Sequence, residues 1–343
     1  MLTSMAVADW LSLDLPIIDV RSPLEFARGH VPGAHNLPLF SDEERSVVGT
    51  LYKLQGRDAA VLEGLRIVGP KLASIVERAR GIAPDGRIRV HCWRGGERSA
   101  SVAWLLDRSG FAATITLKRG YKAFRAHVQE VIARPWTLVV LGGYTGTGKT
   151  ETLQHLKGSG QGVVDLEGLA HHKGSSFGAI GQEPQPSTEH FENLLWHALS
   201  RTDPGTILWV EDESAMIGRV KIPDAFHQRM RSAELIFAEM PIEQRADRLV
   251  ADYGACPREA LAEAIVRIEK RLGPQHCKAA LEALASGDLR TVALISLRYY
   301  DKAYDRGAAQ RDPASIVRMP ADASDLRGLA ERLAAHVNER TLR

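Results

Sequence analysis

Leu138-Val139-Val140-Leu141-Gly142-Gly143-Tyr144-Thr145-Gly146-Thr147-Gly148-Lys149-Thr150 decides the fold of the second half of this chain. The four apolar residues at its start predict a buried strand, and Glu151 to Leu156 beyond it read as helix. Between them, Gly143 to Thr150 fits G-x-x-x-x-G-K-[ST], the P-loop pattern, in the strand-to-helix context that the pattern requires. Its glycines let the backbone N–H groups of Gly143, Tyr144, Thr145, Gly146, Thr147 and Gly148 close on phosphate oxygens. Lys149 is placed for the terminal phosphates and the Thr150 hydroxyl for a metal ion such as Mg2+. The pattern reads phosphates, and nothing in it demands a nucleotide.

Working outward, the apolar run Ile207 to Val210 ends in Glu211-Asp212-Glu213-Ser214, which offers Glu211 or Asp212 as an acid on the metal side. A solvated acidic turn is the other reading of the same residues. Leu235 to Ala238 is a further strand, followed by Pro241 and then Arg245 and Arg248. These two arginines either close over phosphates or lie on an exposed helix face.

Upstream, Pro16 to Val20 and Ile88 to His91 are short apolar strands, and Leu72, Ile75, Val76 and Ala79 repeat as one helical face within Pro70 to Arg80, with Gly81 just past its end. Strands alternating with helices favour a parallel α/β sheet. Arg134-Pro135-Trp136 breaks regular structure, so the expected domains are 1–134 and 135–343, the second ending in a helical region. Gly174 to Thr188, rich in Gly, Ser, Pro and Gln, reads as loop.

The sharpest signal in the first half is His91-Cys92-Trp93-Arg94-Gly95-Gly96-Glu97-Arg98-Ser99. A cysteine at a strand end precedes a glycine-containing loop and a helix start. Converging N–H groups and the helix N-terminus favour the thiolate, which is the nucleophile. Cys92 is therefore the candidate catalytic residue. Trp93, Arg94, Gly95, Gly96, Glu97 and Arg98 form the candidate oxyanion loop, with Arg98 expected to grip the anion bidentately. Cys256 and Cys277 lack such surroundings and read as structural.

The chain has 343 residues, a net charge of +2 and three cysteines with no CxxC pair. That disfavours a disulfide scaffold or structural zinc and suits a reducing cytoplasm. No apolar run approaches the ~20 residues of a membrane span, and no basic leader precedes the first strand. A polyanion would need local basic patches, since no global field attracts one. Two candidate surfaces for a nucleic acid stand out. Arg298, Lys302 and Arg306 fall on one helical face, with Tyr300 and Tyr304 on another, where a tyrosine would stack on an unpaired base. Arg219 and Lys221 lie near His227, Arg229 and Arg231. An ordinary solvated face is the alternative for both patches.

Ile17-Ile18-Asp19-Val20-Arg21-Ser22-Pro23, Glu25-Phe26, Gly29 to Asn36, the Cys92 loop and Gly120-Tyr121 together resemble the rhodanese family over about residues 11–134. One departure is the spacing His-Cys-x5-Arg-Ser, which is also the cysteine phosphatase signature. The wider loop suits a tetrahedral oxyanion. Adding Val48 to Lys53, Gln55-Gly56, Val164 to Ala170 and Gly174 to Gly178, nearly the whole chain resembles the tRNA 2-selenouridine synthase family. The resemblance implies an N-terminal rhodanese-like α/β domain followed by a P-loop NTPase-like parallel-sheet α/β domain. It implies a tRNA partner carrying wobble 2-thiouridine, S-geranylation by geranyl diphosphate, and selenium transfer from selenophosphate through a persulfide-type or perselenide-type species on Cys92. No tightly bound cofactor follows from it, and a selenophosphate-producing enzyme becomes an expected neighbour. The alternatives are a cysteine-dependent phosphatase or sulfurtransferase fused to an ATP-binding kinase-like domain, and a nucleotide switch with a docking module.

Overall fold

The protein is described by a computed structural model covering residues 2–203 and 205–341. It divides into two compact units, Met1–Val131 with Glu192–His197, and Ile132–Phe191 with Ala198–Arg343. No local signal announces that a short piece of the later sequence belongs with the first unit. Both units are parallel-sheet α/β, as the alternating pattern requires.

The first unit holds strands β1 (Leu2–Met5), β2 (Ile17–Asp19), β3 (Ala34–Asn36), β4 (Arg87–His91) and β5 (Ala113–Leu117). They lie in the order β1-β5-β4-β2-β3, all parallel, with Ile18 beside Val90 in register. All three residues of β2 are buried, including Asp19. Ser22 caps the helix Pro23–Arg28 in a reciprocal box with Glu25, which fixes how the chain leaves β2. The periodic helix runs Leu72–Ile82, buries Ile75 and Ala79, and is preceded by a 3-10 turn at Gly69–Lys71. Gly81 thus sits inside its last turn rather than past its end. Glycine is tolerated there because a frayed last turn has few interior contacts to lose.

The second unit holds β6 (Leu138–Gly143), β7 (Gly162–Val163), β8 (Leu208–Glu211), the small antiparallel ribbon β9 (Met216–Ile217) and β10 (Val220–Lys221), β11 (Glu234–Glu239) and β12 (Ile316–Pro320). The main sheet is parallel in the order β12-β11-β6-β8-β7. β6 is central and buried at every position, which is why it reads as an unbroken apolar run. Leu141, Trp209, Ile236, Leu329 and Leu333 form the core on one side. A separate helical cluster gathers Leu261, Ile265, Cys277 and Leu284, while Cys256 packs at its margin. Among the described residues no helix is long and apolar enough to cross a membrane.

Candidate functional site

In the first unit, β4 delivers Cys92 to the N-terminal end of the helix Glu97–Arg108. Cys92 is 3% exposed and counts among the unit's core residues. Its Sγ lies 3.2 Å from the Ser99 hydroxyl, and Ser99 sits in the first turn of that helix. The same hydroxyl lies 3.2 Å from the Gly96 carbonyl, so it can turn from donor to carbonyl into donor to thiolate. The loop is pinned from below, where Tyr121 N–H donates to the Cys92 carbonyl and Lys122 N–H to that of Trp93. Gly120 makes this approach feasible. Its φ is +56°, and a Cβ there would lie 2.4 Å from the Cys92 carbonyl oxygen.

The loop's charged residues divide. Arg94 is exposed. Glu97 faces outward and pairs with Arg57 at 2.7 Å. Arg98, expected to grip an anion, instead donates to both Glu25 oxygens at 2.6 and 3.2 Å. Burial would lift the Glu25 carboxyl, but hydrogen bonds and charge from Arg98 hold it below the usual range. Glu25 is committed to the cap of its own helix, so it presents a fixed carboxylate, and the guanidinium settles there.

Beneath the loop, Asp19 is fully buried and takes a bidentate grip from Arg21, whose guanidinium carbon lies 3.7 Å from the Tyr121 ring centre. His91 is fully buried 3.7 Å from Asp19, and neither ring nitrogen finds a hydrogen-bond partner among the described residues. Burial pushes its pKa down, which keeps the imidazole neutral.

In the second unit, the phosphate loop leaves β6 and enters the helix Lys149–Gly158. Gly148 adopts φ +74°, a left-handed turn that a side chain would strain. Lys149 Nζ donates to the Gly143 carbonyl at 3.0 Å and lies 5.2 Å from the Tyr304 ring centre. Burial opposes its charge, yet Tyr304, Glu167 and Glu213 hold its pKa above the ordinary lysine range.

Of the two acids expected from the sequence, Asp212 also acts on Lys149, after the larger effects of Glu167 and Glu213. Glu211 is fully buried and its Oε2 accepts from Leu166 N–H at 3.0 Å. Asp212 accepts from Arg311 at 2.7 Å and has Arg231 3.8 Å away. Each thus has a partner of its own, and Asp212 also lines a cleft together with Glu213. Glu167 and Glu213 join them: the Thr150 hydroxyl donates to Glu167 at 3.2 Å, and Glu167 and Glu213 hydrogen-bond to each other. Burial and the neighbouring Glu167 push Glu213 well above the usual carboxyl range. Among the described residues no group of three or more His, Cys, Asp or Glu is arranged to hold a metal.

Arg245 and Arg248 both lie against the phosphate loop, each held by a carboxylate. Arg245 is 3% exposed, donates to Asp301 with both terminal nitrogens at 2.9 and 2.8 Å, and reaches the Thr145 carbonyl at 3.3 Å. It braces the phosphate loop from behind and lies 4.9 Å from the Tyr144 ring centre. Burial and the carboxylate of Asp305, which accepts from its hydroxyl, push Tyr144 up to about 12. Arg248 pairs with Glu151 at 2.8 Å.

Arg298, Lys302 and Arg306 are exposed along the helix Leu289–Ala308. Tyr300 and Tyr304 of that helix have partners within the second unit. The Tyr300 hydroxyl accepts from Ser176 N–H at 3.0 Å, and Tyr304 faces Lys149. Arg219 donates to the Gln185 carbonyl and Lys221 pairs with Asp224.

Glu211 supplies a pH signature. Burial holds its folded pKa well above the unfolded value, so between those two values the folded state binds a proton that the unfolded chain has released. The stabilisation is complete below about pH 4 and is lost as pH rises toward the folded pKa, about 1.4 kcal/mol per unit of displacement. A Glu211→Gln chain is expected to lose less stability than wild type between pH 5 and pH 8. Urea midpoints of the second unit's transition measure this, and parallel declines in the two chains would remove Glu211 as the cause.

Two sequence profiles match. The tRNA 2-selenouridine synthase AAA domain covers residues 136–325, and the rhodanese-like domain covers residues 6–127. The chain belongs to the tRNA 2-selenouridine synthase family. It is 38% identical over 333 residues to the tRNA 2-selenouridine synthase of Shewanella loihica, covering 84% of this chain and 86% of that protein. The Cupriavidus pinatubonensis tRNA 2-selenouridine synthase is 40% identical over 310 residues, covering 87% and 80%. That of Marinobacter nauticus is 37% identical, covering 90% and 94%. As a member of the tRNA 2-selenouridine synthase family, the chain is a tRNA-modification enzyme in which a rhodanese-type cysteine loop precedes a phosphate loop.

Proposed function

We propose that this chain converts wobble 2-thiouridine in tRNA to 2-selenouridine in two steps. In the first, the thiocarbonyl sulfur attacks C1 of geranyl diphosphate. The C–O bond breaks, diphosphate leaves, and N3 of the base releases its proton. In the second, selenium replaces the alkylated sulfur at C2 and geranylthiol departs. Alkylation makes sense first, because it converts a poor leaving group into a better one.

The observation that supports this reading most is the presence of two separate anion-directed loops in one member of the family, one with a nucleophile and one without. The phosphate loop, with Lys149 and Thr150, suits the diphosphate of the prenyl donor. Thr150 and Glu167 would stand beside a Mg2+ ion accompanying that diphosphate. The Cys92 loop suits selenophosphate, with Arg94 as the available guanidinium and Arg98 reaching it on release from Glu25.

Electron count favours one role for Cys92. A perselenide on its sulfur requires an oxidant, because selenium in selenophosphate is already at the selenide level. Attack of the thiolate on phosphorus requires none. The P–Se bond breaks, hydroselenide leaves to add at C2, and the S-phosphocysteine is hydrolysed to phosphate. The x5 spacing of the loop is consistent with such phosphoryl chemistry. Mass spectrometry of wobble nucleosides is the test, after incubating thiolated tRNA with the protein, geranyl diphosphate and selenophosphate. S-geranyl-2-thiouridine is expected with the first donor alone and 2-selenouridine with both. Unchanged 2-thiouridine under both conditions overturns the reading.

A further inference from the structure

Next to the phosphate loop lies an apolar pocket of about 60 Å3. On this measure a water occupies roughly 10–15 Å3, so the pocket has room for about four to six carbon-sized groups in line. Phe177, Leu249, Leu261, Leu289, Val292 and Ala293 supply hydrocarbon walls, and no charged side chain lines it. Thr145 of the phosphate loop forms part of its rim. Ser175 and Tyr300, also on the rim, line a second, larger cleft of about 470 Å3 as well. That cleft is polar and contains Glu213 and Tyr304, the neighbours of Lys149. A polar chamber beside the phosphate-gripping lysine therefore meets an oily one across two shared residues.

We infer that the oily chamber receives the distal part of a branched hydrocarbon tail whose diphosphate head sits on Gly143 to Thr150. The inference rests on the prenyl-donor reading above and adds where the tail goes. A purine fits less well. Its fused ring system is larger than the roughly four to six carbon-sized groups the space admits, and its ring nitrogens and amino group need partners that the hydrocarbon walls do not supply. A tail needs none. Each buried CH2 is worth about fourfold in affinity, so a five-carbon unit in the pocket adds on the order of 10^2 to 10^3-fold over the bare head.

Ser296 offers a clean test. It lines the pocket from the helix Leu289–Ala308, and its buried hydroxyl has no hydrogen-bond partner among the described residues. Ser296→Leu fills the space and removes an unsatisfied polar atom, so the fold is expected to keep or gain stability. Dissociation constants for geranyl diphosphate, inorganic diphosphate and ATP are measured on the full chain. Wild type is expected to prefer geranyl diphosphate to inorganic diphosphate about 100-fold. Ser296→Leu is expected to erase at least tenfold of that preference while binding inorganic diphosphate as before. Val250→Phe, entering the same space from the helix Ile242–Tyr253, should act alike and stands in if the first variant misfolds. Undiminished preference in both variants overturns the assignment, as does a loss confined to ATP. Failure of the head-group reading looks different: Lys149→Ala would then leave inorganic diphosphate affinity untouched.

Discussion

A Cys92→Ser chain is expected to stop at the S-geranylated nucleoside, with selenium incorporation reduced by at least about 10^3-fold and alkylation close to wild type. The substitution removes the one sulfur at the head of the loop and leaves its hydrogen-bond geometry nearly intact, because a serine hydroxyl at this site can still bond Ser99. The side chain is buried and slightly smaller, so the fold should change little, and circular dichroism would verify that. The measurement is the ratio of geranylated to selenated nucleoside after reaction with both donors. Wild-type selenation by Cys92→Ser would show that hydroselenide release does not pass through this residue. Loss of both products would place the cysteine in the alkylation step or in folding.

Lys149→Ala is expected to show the complementary defect. Removing the ammonium from the phosphate loop takes away the strongest fixed positive charge facing the departing diphosphate, an effect on the scale of 10^2 to 10^3-fold in kcat/KM. Prenyl transfer should fall by that factor. Selenation of tRNA that already carries the geranyl group should proceed, since that step needs no diphosphate. Supplying pre-alkylated tRNA separates the two. If Lys149→Ala alkylates normally, the diphosphate is held elsewhere. If it fails on pre-alkylated tRNA too, Lys149 is needed for more than the head group.

The parallel α/β class and the family were legible in the sequence because their signals are local: a strand, a glycine turn and a helix start within a dozen residues. What was not legible depends on contacts across long separations. Glu213 stood in plain view beside Glu211 and Asp212, but alternation along the exit from β8 turns Glu211 into the core and sends Asp212 to Arg311, 99 residues away. Glu167 joins it from a short helix after β7, guided by nothing in the local pattern except its position near Asp165. The same holds for Arg98, whose partner Glu25 lies 73 residues earlier, and for Arg245, whose partner Asp301 lies 56 residues later. Surface arginine and structural arginine look alike in sequence, because the difference is made by a carboxylate that only the fold brings near.

The edge strand β12 and the helix Leu326–Thr341 come from the last tenth of the chain, yet that helix packs against the helix Lys149–Gly158 that carries the phosphate loop. Leu326, Leu329 and Leu333 close the core over Leu153 and Leu156. On the ribosome the first unit can therefore begin to form early, while the phosphate-loop sheet waits with an open flank until the helix Leu326–Thr341 has been translated. Prematurely terminated products would expose that flank as bare hydrocarbon and an unpaired β11, a substrate for chaperones and proteases.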